Sequence, residues 1–262
     1  MNRLVVIPFL LIRNHTRPVP ALARPTAILA PRIITTMSVQ ARYVDPAAFD
    51  ALVTSTPAAI ATGFPADPEL RVRLATPDDA QAIVHLTNLA YVDARWFKAP
   101  SFYNRAILDE VLEEVDAPES CFLVLDWPVA SVAQPANDES TSTPGAQGVP
   151  LAASVQVHLD KPSGKPLFGM LAVHPNVHRR GVAKTMVRAV EALVRRVLKE
   201  NTLVIEVVSV QPHLLEIYGK MGFVAFQERK WEEFGIDPAA CLVVPCHLIA
   251  LRKTLAPEEE EE

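Results

Sequence analysis

A mixed α/β sheet flanked by helices and built as a single domain is the fold class this 262-residue sequence predicts. First, 50% of the residues are hydrophobic and 21% are charged, enough apolar surface to close a core against the entropy of ordering the chain. Second, nine of the 23 prolines lie in residues 1–68 and four in 128–150, so chain-breaking residues gather outside the stretch 69–255. Third, that stretch switches repeatedly between the two-residue and 3.6-residue hydrophobic periods of strands and helices.

The elements follow in order. Residues 70–74 alternate apolar and polar, as a half-buried strand does. Thr76, Pro77, Asp78 and Asp79 give an N-cap, a proline at the first helical position and acids in the first turn. Ile83, Val84, Leu86 and Leu89 carry that helix to about Tyr91, and a second helix is predicted over 106–115. Residues 121–125 and 152–159 read as strands, and 128–150 between them, rich in Pro, Ser, Thr, Gln and Asn, as a disordered insertion in a hairpin. The apolar run 167–173 suits a strand covered on both faces. Ala183, Met186, Val187, Val190, Val194, Val197 and Leu198 then fall on the 3-and-4 spacing of a long helix. A β-branched run at 203–208, a short helix over 214–221 stopped by Gly222, and strands at 223–226 and 247–251 complete the order.

Attachments are predicted on either side of this domain: a leader 1–44, a linker 45–68 and an acidic tail 256–262. The leader holds six Arg, no Lys and no acid, the composition of a mitochondrial transit peptide. Two other readings stay open: a secretory signal, against which Arg13 and Arg17 break the apolar run, and a silent segment ahead of a start at Met37. That run, residues 4–12, is far short of the roughly 20 residues of a membrane span. The whole chain carries −5, so no nucleic-acid surface is expected. Cys121, Cys241 and Cys246 lack metal or disulfide spacing, which argues for no metal and for a reducing intracellular compartment, mitochondrial or cytoplasmic.

Chemistry concentrates between the buried strand and the long helix, at Val173-His174-Pro175-Asn176-Val177-His178-Arg179-Arg180-Gly181-Val182-Ala183-Lys184. A helix start presents unpaired N–H groups and a positive dipole end, a ready site for a phosphate. Gly181 lets the backbone approach such a ligand closely. The phosphate-loop pattern of ATP proteins fails, because Ala183 and not Gly precedes Lys184-Thr185, and the G-x-G-x-x-G of dinucleotide proteins is missing.

The turn resembles that of the GNAT superfamily of N-acetyltransferases, in which Q/R-x-x-G-x-G/A holds the coenzyme A pyrophosphate. The hexapeptide here is His178-Arg179-Arg180-Gly181-Val182-Ala183, with His178 as the departure. Ile217-Tyr218-Gly219-Lys220-Met221-Gly222-Phe223, about 40 residues on, is similar to the family's Tyr-x-x-x-Gly-Phe. The opening stretch 73–79 also resembles the family's first strand and helix, so the likeness spans most of 70–254. The resemblance implies a mostly antiparallel GNAT-like sheet and an acetyl-CoA-dependent transfer to a primary amine of a small molecule or peptide. It places acetyl-CoA between the strands 167–173 and 203–208, splayed at a bulge. Leu171, Ala172 and Val173 would lie along the pantetheine, with the Val173 N–H on the thioester carbonyl. Arg179, Arg180, Gly181, Val182, Ala183 and Lys184 would lie on the pyrophosphate, although each arginine alone also reads as a solvated cation.

Tyr218 matches the family's general acid for the departing thiolate, and a core aromatic beside Phe223 is its other reading. The amine also needs a base, since a free alkylamine titrates near 10. Glu206 is the candidate: inside an apolar strand its carboxyl would be desolvated and raised, and its other reading is a solvated edge acid. His158 and His174 are weaker candidates. Tyr91, Trp96, Phe97, Phe102 and Tyr103, with Trp231 and Phe234, line an acceptor pocket or simply pack helices. A catalytically silent acyl-CoA-binding module and an unrelated nucleotide-binding protein are the competing functions, and the oligomeric state is not legible.

Overall fold

In a computed structural model of the protein the described residues are 72–92, 96, 105–117, 120–126, 151–160 and 163–256. The leader, the linker, the hairpin insertion and all of the tail but Ala256 lie outside them. The elements are β1 (Val72–Leu74), α1 (Ala80–Ala90), α2 (Leu108–Asp116), β2 (Ser120–Asp126), β3 (Leu151–Leu159), β4 (Pro166–Val173), α3 (Val182–Ala192), β5 (Thr202–Val208), α4 (Pro212–Lys220), β6 (Val224–Arg229), α5 (Pro238–Cys241) and β7 (Leu248–Thr254). The strands form one seven-stranded sheet in the order β1-β2-β3-β4-β5-β7-β6. Every neighbouring pair is antiparallel except β4 with β5, so the sheet is mixed and mostly antiparallel, as the sequence predicts.

Two apolar layers cover the sheet. On one face Val182, Met186, Val187 and Val190 of α3 and Leu214 and Tyr218 of α4 pack on Phe168, Leu171, Leu203, Ile205 and Val207. On the other, Ala80, Ile83 and Leu86 of α1 and Val111 of α2 pack on Phe122, Val124, Met170 and Ala172. The chain enters α1 through the predicted Thr76-Pro77 start, a 3-10 turn over Pro77–Asp79. Arg73 fixes that start: its guanidinium binds both Asp79 oxygens at 2.8 Å and both Asp126 oxygens at 2.7 and 2.9 Å, tying β1, α1 and β2 together.

Most boundaries fall within two residues of the sequence reading, and three elements end farther from it. The long helix is regular only to Ala192, then widens into a π-turn over Leu193–Val197, closed by the Leu198 N–H on Leu193 O at 3.1 Å. A hydrophobic period cannot separate the two geometries over a single turn. Strand β6 starts at Val224 and runs on to Arg229. Strand β7 extends to Thr254 because Arg252 and Lys253 keep register with Val204 and Leu203, and Lys253 binds Glu191 at 2.7 Å. Polar side chains hide both strand ends from a hydropathy reading.

Candidate functional site

Strands β4 and β5 share one register pair, Leu167 with Val204, and then part. The cause lies in β4. Met170 adopts φ 44°, and pairing with β3 shifts between Ser154 and Gln156, the signature of a bulge. The extra residue inverts the facing of the strand, so Phe168, Leu171 and Val173 join the α3 layer while Met170 and Ala172 join the α1 layer. The His174 N–H donates to Ala152 O at 2.9 Å. Alternation along an antiparallel ladder then turns the Val173 N–H and C=O away from β3 and toward β5. Ala172, opposite Ser154, keeps its backbone in the β3 ladder.

Past β4 a 3-10 turn, Pro175–Val177, leads to the start of α3. Arg179 and Gly181 both take left-handed conformations, φ 65° and 80°. Gly181 is the N-cap and has no side chain to cap with. The N–H groups of Val182, Ala183 and Lys184 therefore have no acceptor inside the helix and stand at its positive end. Arg179 and Lys184 are exposed and Arg180 is half-buried beside them. His178 folds back, and its Nε2–H donates to Val173 O at 2.9 Å. The departure from the family pattern thus braces the turn and occupies the Val173 carbonyl, leaving the N–H as the group of Val173 suited to a ligand.

Tyr218 on α4 is fully buried, its ring edge-on to Phe168 (centroids 6.0 Å apart) and to Phe223 (5.8 Å). Its ring is a core aromatic, yet its hydroxyl is buried and has no hydrogen-bond partner among the described residues. Burial and the neighbouring Tyr91 hold that hydroxyl well above the usual tyrosine range. Glu206 on β5 is 1% exposed, so the solvated-edge reading is overturned. Its Oε1 accepts from Arg229 Nη1 at 2.6 Å, and its Oε2 is buried without a hydrogen-bond partner among the described residues. Burial pushes the Glu206 carboxyl up to about 7, against the pull of Arg229 and with the help of Asp160 and Glu233.

On the α1 side Tyr91 and Trp96 are buried, and the Arg105 guanidinium lies 5.6 Å above the Tyr91 ring. Phe97, Phe102 and Tyr103 lie outside the described residues. Trp231 is buried and donates to Cys246 O at 2.7 Å, a structural anchor. Burial pushes the His174 imidazole below its usual range, aided by His85 and His178, and its Nδ1 accepts from the Asn176 N–H at 3.2 Å; both disfavour it as the base. Sequence reasoning missed Asp160 and Arg229, because each is a charged residue at a strand end with no motif around it. Among the described residues no helix is long and apolar enough to cross a membrane, and no group of three or more His, Cys, Asp or Glu is arranged to hold a metal ion.

No curated protein matches the chain by sequence. Residues 156–238, from mid-β3 to the start of α5, match the family model described as "Acetyltransferase (GNAT) domain". Among solved structures, yncA of Salmonella typhimurium, a candidate acetyltransferase with acetyl-CoA bound, shares 13% identity at a TM-score of 0.50, over 74% of this chain and 98% of its own. A candidate phosphinothricin N-acetyltransferase shares 14% at a TM-score of 0.50, over 72% and 99%. A variant of the spermidine N-acetyltransferase SpeG from Vibrio cholerae shares 13% at 0.47, over 70% and 94%. At such identity the two structures with a TM-score of 0.50 speak for the fold alone, and the family model speaks for the segment that carries both motifs. Together with the parted β4 and β5 and the uncapped start of α3, they liken residues 156–238 to a GNAT acetyltransferase domain and the fold of the described residues to that of solved acetyltransferase structures.

Proposed function

We propose that the protein transfers an acetyl group from acetyl-CoA to a primary amine of a small molecule or peptide, by direct attack of the amine on the thioester. The observation that carries this reading is the gap between β4 and β5, with one buried oxygen on each face of the sheet that has no hydrogen-bond partner among the described residues: Tyr218 OH in the α3 layer and Glu206 Oε2 on the α1 and α2 side. The groups fit the coenzyme. The uncapped amides of Val182, Ala183 and Lys184, with Arg179 and Arg180, suit a pyrophosphate. The backbone of Leu171 and Val173 along the gap suits an extended pantetheine.

Acetyl-CoA supplies an acyl carbon activated by a thiol leaving group. Around it the chain's residues have separate tasks. The Val173 N–H stands where it can donate to the carbonyl oxygen as negative charge builds there. Glu206 Oε2 takes the amine proton: its raised carboxyl is ionised in part near neutrality and strong enough as a base to accept. The Tyr218 O–H gives its proton to the sulfur as the C–S bond breaks, and its raised value keeps it protonated until then. The C–N bond forms as the C–S bond breaks, and the products are an amide and free coenzyme A thiol.

The test is thiol release from acetyl-CoA over a panel of primary amines, including polyamines, amino acids and peptide N-termini. Tyr218→Phe and Glu206→Gln are each expected to lower kcat by about 10²-fold or more at unchanged fold. Unchanged turnover in either variant removes that residue from the mechanism. Binding of acetyl-CoA without thiol release from any amine would make the protein a silent acyl-CoA-binding module instead.

A further inference from the structure

We propose that Asp160 and Arg229 are positioning residues for Glu206, holding one carboxylate oxygen in a buried ion-pair relay so that the other, Oε2, is presented to the acceptor amine. The inference rests on the reading of Glu206 as the base and goes beyond it, since neither residue lies in either motif.

The geometry is specific. Arg229, the last residue of β6, reaches Asp160 with both guanidinium nitrogens, Nη1 to Oδ1 at 2.8 Å and Nη2 to Oδ2 at 3.0 Å, and shares Nη1 with Glu206 Oε1 at 2.6 Å. All three side chains are at most 4% exposed. Asp160 is itself held from behind, because its Oδ2 accepts from the N–H and the hydroxyl of Ser163. Register sets the approach of Arg229: Val208, Leu248 and Arg229 lie in one row across β5, β7 and β6, on the face that Glu206 shares with Val208.

Pairing alone does not account for the third acid. Arg229 and Asp160 already make a fork-to-fork ion pair of zero net charge, the arrangement that best repays burial. Adding an ionised Glu206 leaves the trio one negative charge in excess, and Oε2 stays unsatisfied, which a purely structural cluster would avoid. A relay that fixes Oε1 and leaves Oε2 without a partner has the form expected of a carboxylate awaiting a cationic or N–H donor from outside.

The two partners act on Glu206 with opposite sign. The Arg229 charge favours the ionised carboxylate, and the Asp160 charge favours the protonated one. The other charged group acting on it is Glu233, from the 3-10 turn Trp231–Phe234 after β6, which also favours protonation. On β7 the register partner is Ala250, on β5 the same-face neighbours are Val204 and Val208, and on β3 the buried same-face residue nearest Asp160 is His158. Removing Asp160's charge must therefore move the Glu206 titration to lower pH, and removing Arg229's must move it to higher pH.

The experiment is a pH titration of the full chain carrying ¹³C-labelled glutamate, the Glu206 signal being the one lost in Glu206→Gln. Asp160→Asn is expected to lower the Glu206 midpoint and Arg229→Met to raise it, each by about one pH unit or more. The acid limb of kcat/KM for the best amine of the panel moves with each midpoint, while the amine's own titration is common to all variants. Midpoints that stay put, or move the same way in both, overturn the relay. Midpoints that move while the kinetic limb stays fixed leave the relay standing and defeat Glu206 as the base. Should Arg229→Met fail to fold, the isosteric Asp160→Asn decides alone: a lowered midpoint supports the relay and an unmoved one overturns it.

Discussion

A carboxyl inside a strand of β-branched residues titrates according to what reaches it from other strands, and Glu206 shows how far this lies from the local sequence. The run 203–208 announces a buried strand, but apolar residues on both faces say nothing of which way Glu206 points. Its partners come from 46 residues before and 23 residues after it, so only the assembled sheet shows the pairing. Of the two readings of Tyr218 the structure shows the core one, the ring packing against Phe223, while the hydroxyl has no hydrogen-bond partner among the described residues. Glu206 also carries a stability signature. Its folded carboxyl sits at about 7 against an ordinary 4.5, so the folded state holds the proton longer than the unfolded chain. Its contribution is greatest below 4.5 and is lost as pH rises from there through about 7. Asp160 has the opposite sign: burial alone would raise it, but Arg229 and Ser163 hold it below the usual range, so its contribution is lost only as pH falls through that lowered value. Urea unfolding at about pH 5 and about pH 7.5 should show Glu206→Gln losing less stability across that interval than the wild type. Equal losses in the two proteins would place the titrating group elsewhere.

At the scale of elements, what the sequence exposes is where elements begin, and what it conceals is how they bend. The α1 start at Thr76-Pro77, the α3 start at Gly181 and the α4 stop at Gly222 are written in capping and left-handed residues whose roles are local. The bulge at Met170 is not, because β4 reads as an even apolar run and the residue adopting φ 44° is neither glycine nor asparagine. That bulge is what lets β4 leave β5, and it was expected from the family resemblance rather than from the residues of β4. The α3 start supplies a direct test. Gly181 holds φ 80°, where any other L-residue is strained, so Gly181→Ala should cost about 1 kcal/mol of stability and tilt the first-turn amides. Calorimetry should find acetyl-CoA affinity reduced by about tenfold or more, equivalent to about 1.4 kcal/mol. An unchanged affinity would separate the coenzyme from this turn.

Across the whole molecule the sheet divides the proposed work between its faces. The layer under α3 and α4 brings Tyr218 and the helix start to one side of the parted strands; the layer under α1 and α2 is the proposed amine side, the face of β5 to which Glu206 belongs. In the proposed reaction the proton would leave the nucleophile on one face and reach the sulfur from the opposite one, so neither group would have to perform both steps. The folding domain was legible because proline scarcity and the two hydrophobic periods coincide over one stretch. The acceptor was not, because the aromatic residues after α1 read equally as packing and as lining. The claim on which everything else depends is that this gap holds acetyl-CoA, and thermal unfolding with acetyl-CoA or ATP present at about 100 times an expected dissociation constant tests it most directly. Mass action at that excess adds about 2.7 kcal/mol, a rise in Tm of about 5–10 °C for a domain of this size. Acetyl-CoA is expected to give that rise and ATP none; a rise with ATP and none with acetyl-CoA would contradict acetyl-CoA binding in the gap.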